Sequence, residues 1–480
     1  MIADLRPYPE YKESGLPWLG QVPGHWETRR LRHACEMRVS NVDKHTKQGE
    51  TPVRLCNYVE VYKNERIRES TRFMAASASE DERIRFCLRK GDVLITKDSE
   101  QWNDIGVPSL VEFEAPDLVC GYHLAILRAR PLLRGPFLHR ALECHFIAAQ
   151  FHVEANGVTR YGLSHGAIQG VSIPLPPPAE QAAIVRFLDW ANGRLEWVIR
   201  AKRKVIALLT EQKQAIIHRA VTRGLDPSVF LKPSGIPWLG DIPQHWGVLR
   251  AKYLYREVDE RSADGSEELL SVSHLTGVTP RSQKNITMFK AASYAGHKLC
   301  RRGDLVVNTM WAWMGALGVS AHAGIISPAY AVYRPRRPER IVGAYMDGVL
   351  RSRPYVSNMI CRSTGLRPSR LRLYPDEFFR LPIIQPPSEE QQRIVQAIRG
   401  DTADLNTAVS RLEREIELLR EYRTRLVADV VTGKLDVREA AARLPDETEE
   451  PKPVDEADSM TDADEDATDD LDTALEEPKT

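Results

Sequence analysis

The chain has 480 residues, a length that allows two or three domains. Hydrophobic residues make up 42% and charged residues 28%, the balance of an ordinary globular protein. No run of about 18 apolar residues occurs and the N-terminal segment lacks the apolar core of a signal peptide, so neither a membrane partner nor secretion is expected. The seven cysteines include no CxxC pair, which favours free thiols and a cytoplasmic location.

The net charge of zero conceals two regions of opposite sign. Residues 446–480 carry 16 acidic side chains and 2 lysines, a net charge of −14, so the other residues carry +14. A moderately basic body suits a polyanionic partner, although a globular protein with a solvated acidic tail has the same composition. The tail is rich in Asp, Glu, Pro, Thr and Ala, and it is predicted to be disordered because it cannot bury a core.

Several motifs occur twice in the same order. Residues 14–26 read SGLPWLGQVPGHW and residues 234–246 read SGIPWLGDIPQHW, with nine of thirteen positions identical. The shorter pairs are GDVLITK (91–97) with GDLVVNT (303–309), AILR (125–128) with AVYR (331–334), and PPPAEQ (176–181) with PPSEEQ (386–391). Such self-similarity predicts two copies of one structural module.

Each module ends in a segment with the heptad pattern of a coiled-coil helix. Apolar residues recur there at alternating spacings of three and four, and charged residues flank them. One amphipathic helix of this length cannot bury its apolar stripe alone, so the two helices are predicted to pair with each other, antiparallel. The predicted helix-pairing residues are Ile184, Leu188, Leu195, Val198, Val205, Leu209, Ile216, Ile394, Ile398, Leu405, Leu412, Leu419 and Leu426.

The segments before the helices contain short β-type runs separated by turn residues. These runs are 53–62, 93–96, 123–128, 269–272, 305–308 and 330–333. The predicted fold class is therefore α+β, with two globular α/β domains joined by an antiparallel coiled coil and related by a pseudo-two-fold internal repeat. The predicted domains are 1–175 (first globule), 176–224 (first helix), 225–385 (second globule), 386–440 (second helix) and 441–480 (disordered tail).

Sequence signatures of catalysis are missing. Neither GxxxxGK[ST] nor a GxGxxG after a strand occurs, nor do the tetrapeptides typical of DNA methyltransferases. Two acidic pairs, at 112/114 and 376/377, lack a suitably spaced lysine for a nuclease site. Five residues were weighed as zinc ligands, but their spacing matches no usual zinc ribbon; they are Cys120, His123, His139, Cys144 and His145. No catalytic, cofactor or metal residue is therefore predicted.

The duplicated motifs resemble those of the specificity subunits of type I restriction-modification systems. The shared motifs are W-L-G-x-x-P-x-x-W at 18–26 and 238–246, the strand after Gly91 and Gly303, and IPLPPPAEQ (173–181) before a long helix. The turn at 156–164 also resembles a turn of this family, whereas 363–370 matches it only loosely. The resemblance covers about residues 14 to 440.

This resemblance implies a DNA-binding subunit without catalytic activity. Each globule would be a target-recognition domain for one half of a bipartite site in double-stranded DNA, and the paired helices would set the gap between the halves. Two methyltransferase (modification) subunits and the restriction/translocase subunits would be partners. S-adenosylmethionine, ATP and Mg²⁺ would be bound by those partners and not by this chain.

DNA-binding residues are expected where the two modules diverge, because the two half-sites normally differ. The loops after the G-D strands, the early β run and the turns before the helices hold side chains that pair with base edges or phosphates. The predicted residues are Asn57, Tyr58, Lys63, Lys97, Ser99, Gln101, Trp102, Asn103, Arg160 and Tyr161 in the first module, and Ser273, His274, Asn308, Thr309, Trp311, Trp313, Arg367 and Arg370 in the second. The repeated tryptophans at 18, 26, 238 and 246 are interpreted as anchors against each globule.

Two alternatives stay open at this point. The chain could be a DNA nuclease or methyltransferase that acts alone, which the missing motifs disfavour. It could also be a coiled-coil protein scaffold that does not bind DNA, which the basic body disfavours.

Overall fold

A computed structural model describes residues 5–283, 293–365 and 371–445. Among these residues, no helix combines the length and the apolar character needed to cross a membrane. The chain packs into two compact units, which within the described residues comprise 5–202 with 414–445, and 203–413. Both divisions fall inside the predicted long helices, so the packing units differ from the predicted domains. The reason is that helix segments bury side chains in the same core as each globule.

The first unit is a mixed α and β structure. Its strands are β1 (Tyr11–Glu13), β2 (Gln21–Pro23), β3 (Glu27–Arg30), β4 (Cys35–Val39), β5 (Thr51–Cys56), β6 (Arg66–Ile67), β7 (Met74–Ala78), β8 (Val93–Thr96), β9 (Asp98–Ser99), β10 (Pro108–Val111), β11 (Leu118–Cys120), β12 (Leu124–Ala129), β13 (Tyr161–Gly162) and β14 (Ser172–Leu175). Its helices are α1 (Leu31–Ala34), α2 (Tyr58–Lys63), α3 (Glu80–Phe86), α4 (Gly135–Glu143), α5 (His145–Glu154), α6 (His165–Gly170) and the first part of α7 (Pro178–Arg223).

The second unit has the same kinds of elements. Its strands are β15 (Leu231–Pro233), β16 (Asp241–Pro243), β17 (Gly247–Arg250), β18 (Tyr255–Val258), β19 (Leu270–Ser273), β20 (Gly277–Pro280), β21 (Lys298–Cys300), β22 (Leu305–Val307), β23 (Leu317–Val319), β24 (Gly324–Ile326), β25 (Ala331–Pro335) and β26 (Pro382–Gln385). Its helices are α8 (Ala251–Leu254), α9 (Gly343–Leu350), α10 (Arg353–Arg362), α11 (Pro375–Arg380) and the first part of α12 (Ser388–Val431); a short α13 (Arg438–Ala442) belongs to the first unit.

The first unit contains a five-stranded sheet in the order β4-β12-β8-β10-β6 and a three-stranded sheet in the order β11-β5-β7. Successive side chains of the central strand β8 enter different cores: Val93 and Ile95 lie in one, and Leu94 lies in the other. This follows from the period of two along a strand. Because both faces are covered, the strand is a continuous apolar run, as the sequence shows.

The second unit has a four-stranded sheet in the order β18-β25-β22-β23. Its central strand β22 alternates in the same way, with Leu305 and Val307 in one core and Val306 in the other. The predicted strands at 93–96, 123–128, 305–308 and 330–333 match the observed ones to within two residues.

The G-D motif builds the same turn before the central strand of each unit. Gly91 has a φ of +92°, a backbone region that favours glycine. The buried Asp92 accepts two hydrogen bonds from Arg128, at 2.8 and 2.7 Å. In the second unit the buried Asp304 accepts two from Arg334, at 2.9 Å each. The motif therefore serves the fold and holds β12 or β25 beside the central strand.

The P-P-x-x-E-Q motifs at 176–181 and 386–391 anchor the start of each long helix. The amide of buried Gln181 donates to the carbonyls of Leu132 and Pro176 and accepts from the backbone N–H of Arg134. Gln391 makes the corresponding three bonds in the second unit. Trp26 is fully buried and donates to Glu180 at 3.1 Å, so it is an anchor and is not available to stack on bases.

Three boundaries differ from the prediction. The predicted β run at 53–62 ends at Cys56, because Asn57 caps helix α2, which begins at Tyr58. The second helix, predicted to reach 440, ends at Val431, close to Gly433, whose φ of +78° and tight contact with Pro23 do not suit a helix. Residues 441–445, predicted as part of the tail, are packed, because Ala441 and Leu444 are buried. Residues 446–480 lie outside the described residues.

Candidate nucleic-acid interface

Three segments that are distant in the sequence meet in the first unit. The loop after β8 pairs through β9 with β13, so that Ser99 lies opposite Tyr161. The turn between α5 and β13 is closed by two hydrogen bonds between the backbones of Asn156 and Gly162, at 3.1 and 2.9 Å. Helix α2 joins this group through a hydrogen bond between the side chains of Tyr58 and Ser99. The pKa of Tyr58 is raised, mainly because the side chain is partly buried. The sequence predicted these segments but not their contact.

The predicted side chains of this cluster differ in exposure. The exposed ones are Lys63, Gln101, Trp102, Asn103 and Arg160, and those of intermediate exposure are Asn57, Tyr58, Lys97 and Tyr161. Ser99 is buried, so it supports the loop and does not face a ligand, which corrects the prediction for this residue. Trp102 is 53% exposed and touches His152 edge-on, which leaves much of its indole available to stack on a base.

Asn57, Tyr58 and Lys63 belong to a helix, not to the predicted strand. Asn57 is the N-cap of α2, and Glu60 accepts a hydrogen bond from the Asn57 N–H at 2.9 Å. This reciprocal capping box starts a helix and ends the strand before it. The N-x-x-E spacing is visible in the sequence and could have predicted this boundary. The Asn57 side chain therefore has a structural role, which is to cap the start of α2.

Four residues of the cluster were not among the predicted DNA-binding residues. Tyr62 stacks on Tyr58 with ring centroids 5.5 Å apart, and its hydroxyl donates to Asp104 at 2.7 Å. His123 contacts Asp98 through Nδ1 and Oδ2, 2.6 Å apart. Only the fold brings His123 next to the 97–104 loop, although its position directly before a strand was a usable signal.

The second unit contains a related cluster. The backbones of Thr364 and Arg372 close a turn with two hydrogen bonds of 3.0 Å. Leu373 N–H donates to the Thr309 carbonyl at 2.9 Å, as Leu163 N–H donates to the Lys97 carbonyl at 2.9 Å in the first unit. In each unit, therefore, the loop after the G-D strand is bonded to the turn that precedes the long helix.

The predicted residues of the second unit lie in two places. Trp311 and Trp313 stack with centroids 5.6 Å apart in the loop after β22, and Thr309 in the same loop is partly exposed. Ser273 and His274 lie at the β19–β20 hairpin. Asn308 is 1% exposed and its Oδ1 accepts from Met310 N–H, so it shapes the loop from inside. Arg367 and Arg370 lie outside the described residues.

Within the first unit, the start of α7 and the end of α12 run antiparallel. Lys202 contacts Glu415 at 2.5 Å, and Glu196 lies 4.0 Å from Arg423. Farther toward the start of α7, Arg186 donates to the Leu444 carbonyl. The residue numbers thus decrease along α7 while those of its partners increase, as in an antiparallel pair. Of the predicted pairing residues, those that are buried are Ile184, Leu188, Leu195, Ile394 and Leu426. Those of intermediate exposure are Val198, Leu209, Ile216, Ile398, Leu405, Leu412 and Leu419. Val205 is 44% exposed and is not packed in a core.

A charge network surrounds Arg140 in the first unit. The guanidinium is 2% exposed and lies 2.6 Å from carboxylate oxygens of Glu65 and Glu143 and 2.7 Å from one of Asp189. Burial opposes the charge, yet these carboxylates raise the pKa of Arg140 above its usual range. Glu65 also contacts Arg423 on α12 at 3.2 Å. The network therefore ties the globule to both long helices of this unit.

The same network contains the group that comes nearest to a metal site in the described part of the chain. Ligand atoms of Glu65, His139 and Glu143 lie within 4.8 Å of one another. However, the Arg140 guanidinium already contacts both carboxylates at 2.6 Å and supplies the positive charge there. Cys120 and Cys144, weighed earlier as zinc ligands with His139, lie in two different cores.

His139 should make the first unit sensitive to acid. Burial, with the nearby charge of Arg140, lowers the pKa of His139 to about 3, and neither ring nitrogen has a hydrogen-bond partner among the described residues. The unfolded chain binds a proton below about pH 6.5 while the folded chain does not, so stability falls as the pH falls, by up to about 1.4 kcal/mol per pH unit. As the pH falls from about 7.5 to 5.5, the free energy of unfolding of His139→Leu should decrease by about 1.4 kcal/mol less than that of the wild type. Urea unfolding at both pH values measures this difference.

A matched control uses the exposed His45, which lies in a loop. His45→Gln should keep the wild-type dependence on pH. If His139→Leu also kept it, the buried imidazole would not be the group that titrates.

Comparisons with known proteins agree with the sequence resemblance. No family model matches the chain. A curated relative from Methanocaldococcus jannaschii, which carries the name type I restriction enzyme MjaX specificity subunit, is 23% identical over 245 residues, 50% of this chain and 55% of the relative. The matched region thus spans about half the length of that relative.

The fold has a counterpart among solved structures. A chain from a structure of the type I R-M system, described for its complex assembly and conformational transition, aligns with a TM-score of 0.57 and 19% identity over 86% of this chain and 99% of that one. The HsdS subunit from Thermoanaerobacter tengcongensis aligns over 86% and 98% with 19% identity and a TM-score of only 0.40. The resemblance of this chain to the specificity subunits of type I restriction-modification systems, which the duplicated motifs predict, is therefore confirmed.

Proposed function

We propose that this chain is the sequence-specific DNA-binding subunit of a type I restriction-modification complex. Each module contacts one half of a bipartite target in double-stranded DNA, and two methyltransferase subunits dock on the chain. Restriction/translocase subunits complete the assembly. The chain has no catalytic role, and the partner subunits bind S-adenosylmethionine, ATP and Mg²⁺.

The observation that carries this proposal is the arrangement found once in each unit. The loop after the G-D strand is bonded to the turn before the long helix by the same 2.9 Å backbone contact. The supporting framework is alike in the two units, but the loops differ: one holds Lys97 and Trp102, the other Thr309 and Trp311. A common framework with different contact residues is what two unlike half-sites require.

The contacts repeated inside each module support two copies of one structural module, and we propose that a pseudo-two-fold axis relates them. Asp92–Arg128 corresponds to Asp304–Arg334, and His25–Glu180 at 2.8 Å corresponds to His245–Glu390 at 2.7 Å. Duplex DNA has local two-fold axes, so two modules related in this way can approach the two strands alike. Pairing of the two helices along their full length as a coiled coil would then set a fixed gap between the half-sites.

A salt titration and a reconstitution test the proposal. Binding of the purified chain to duplex DNA should weaken steeply with salt, roughly a hundredfold or more between 50 and 200 mM, because phosphate contacts release counterions. Methylation of a bipartite site, located by sequencing, should require both the chain and the methyltransferase subunit of the same system. The chain alone should neither methylate nor cut DNA.

Each alternative gives a different result. Turnover by the chain alone with S-adenosylmethionine or Mg²⁺ would make it an enzyme. Binding that does not respond to salt, together with methylation that does not depend on the chain, would leave a protein scaffold.

A further inference from the structure

His123 has an exceptional backbone conformation. Its φ is +72°, and within residues 5–283, 293–365 and 371–445 it is the sole residue other than glycine with a positive φ. Most side chains are strained in this region, although His, Asn and Asp enter it more often than others. Such strain clusters at functional sites, where the surrounding structure holds it. The contacts of the His123 side chain are therefore informative.

Asp98 orients the imidazole ring. His123 Nδ1 lies 2.6 Å from Asp98 Oδ2, and the backbone N–H of Lys97 donates to the His123 carbonyl at 2.8 Å. A carboxylate can only accept, so in the neutral ring Nδ1 carries the proton and Nε2 is an acceptor. The side chain of His123 is 25% exposed, so the ring borders the surface.

The pair lies between the two segments of the first unit that were predicted to contact DNA. Asp98 and Ser99 form β9, which is hydrogen bonded to Tyr161 and Gly162 of β13. A Cβ at Gly162 would lie 3.1 Å from Asp98 Oδ1, so glycine leaves room for the carboxylate. Asp98 thus belongs to the 97–104 loop, the 156–162 turn is bonded to it, and His123 contacts the same loop through Asp98.

The second unit lacks this pair. By the repeat of 125–128 at 331–334, the residue that corresponds to His123 is Ala329. The Ala329 carbonyl accepts a hydrogen bond from the Thr309 side chain at 3.0 Å, whereas the His123 carbonyl accepts one from the Lys97 backbone at 2.8 Å. Ala329 has neither the positive φ nor the imidazole of His123. A side chain that serves the fold alone would be expected in both units. A side chain that contacts bases should differ between them.

We propose that His123, oriented by Asp98, contacts a base of the first half-site. In the neutral ring, Nε2 accepts a hydrogen bond from the exocyclic amino group of adenine or cytosine in the major groove, where these two groups are presented. Asp98 is a positioning residue that fixes the ring and its proton. The inference rests on the proposed function, since it names one base contact within it.

The test uses the full chain together with its methyltransferase subunit and sequencing of methylated DNA. His123→Asn is the main variant, because asparagine tolerates a positive φ but is too short to replace Nε2. One A or C position of the first half-site should become degenerate, with selectivity there falling about 2- to 13-fold, as expected for the loss of one hydrogen bond. The second half-site is an internal control and should not change.

Three further variants test whether Asp98 orients the ring and whether the effect is specific to the His123 side chain. Asp98→Asn should relax the same position less than His123→Asn does, because the ring remains but is less well held. His45→Gln, an exposed histidine in a loop of the same unit, should leave both half-sites unchanged. His123→Gly keeps the backbone conformation and should reproduce the degeneracy of His123→Asn.

Three results would overturn the inference. The site could stay fully selective in every variant, or all positions could lose methylation equally, which indicates a phosphate contact or a role in folding. Degeneracy could instead arise in the second half-site. If the wild-type complex methylates no bipartite site, the proposed function itself fails, and the inference falls with it.

Discussion

Replacing Arg140 by alanine should destabilise the first unit by about 3–5 kcal/mol, because removal of one partner leaves buried charges unpaired. The side chain contacts Glu65, Glu143 and Asp189 at 2.6 to 2.7 Å, and it is 2% exposed. Without the Arg140 guanidinium, Glu65 keeps Arg423 at 3.2 Å and Asp189 keeps Arg66 at 2.8 Å, whereas Glu143 loses the guanidinium that it contacts at 2.6 Å. Glu143 suffers most, because burial already raises the pKa of its carboxyl.

Calorimetry should detect this loss as a lower melting temperature of the first unit. For a unit of this size, about 3–5 kcal/mol corresponds to roughly 10 °C. The control is Arg414→Ala, since Arg414 is 74% exposed and its contact with Glu417 spans 3.6 Å. Such a surface pair contributes less than about 1 kcal/mol, so the control should melt close to the wild type.

A second substitution checks the physical cause. Adding Glu143→Gln to Arg140→Ala removes one unpaired buried charge and should restore part of the stability. If Arg140→Ala melted like the control, the network would not hold the globule to the helices. If the double variant were no more stable than Arg140→Ala, unpaired charge would not be the cause.

Exchanging the interior of one module should change one half-site and leave the other as it was. The structure suggests where to cut. Strand β3 pairs with β14, and Leu31 N–H donates to the Val171 carbonyl at 2.8 Å, so residues 31 and 171 are neighbours. If the segment between them is replaced by that of a relative, both junctions lie next to each other at the β3–β14 strand pair, which stays native. The long helices α7 and α12 and the anchoring Gln181 lie outside the exchanged segment and stay native.

The same design exists in the second unit and provides the matched control. Ala251 N–H donates to the Leu381 carbonyl at 2.8 Å, beside the pair of β17 and β26. Exchange of 31–171 should replace the base identities of the first half-site completely, and exchange of 251–381 those of the second. Sequencing of methylated DNA measures both. The number of base pairs between the two half-sites should stay constant, because neither exchange alters the long helices α7 and α12.

The donor of the first segment should carry residues equivalent to Glu65 and Arg140, since these reach Asp189 and Arg423 outside the exchanged segment. A chimera whose two half-sites both change, or whose gap changes, would contradict the idea that each module contacts its own half-site independently.

The sequence by itself predicted the order of the main strands and of the two long helices, and the same motifs occur in it twice. Apolar runs bounded by glycine and aspartate predicted β8 and β22 to within a residue, because a strand covered on both faces needs no distant information to be recognised. The heptad spacing and the P-P-x-x-E-Q motifs predicted both long helices, because periodicity and proline act locally. The start of α2 was also local, but its capping box was missed.

Tertiary structure alone decided which side chains meet. His123 and Asp98 are 25 residues apart, and Arg140 reaches Asp189 at 49 residues. No periodicity relates such positions, because their contact depends on how strands and helices pack. Packing also decided that Ser99 and Asn308 support their loops from inside, while Trp102 in the same kind of loop is exposed. Exposure and partner choice are properties of the packed chain, and local sequence does not specify them.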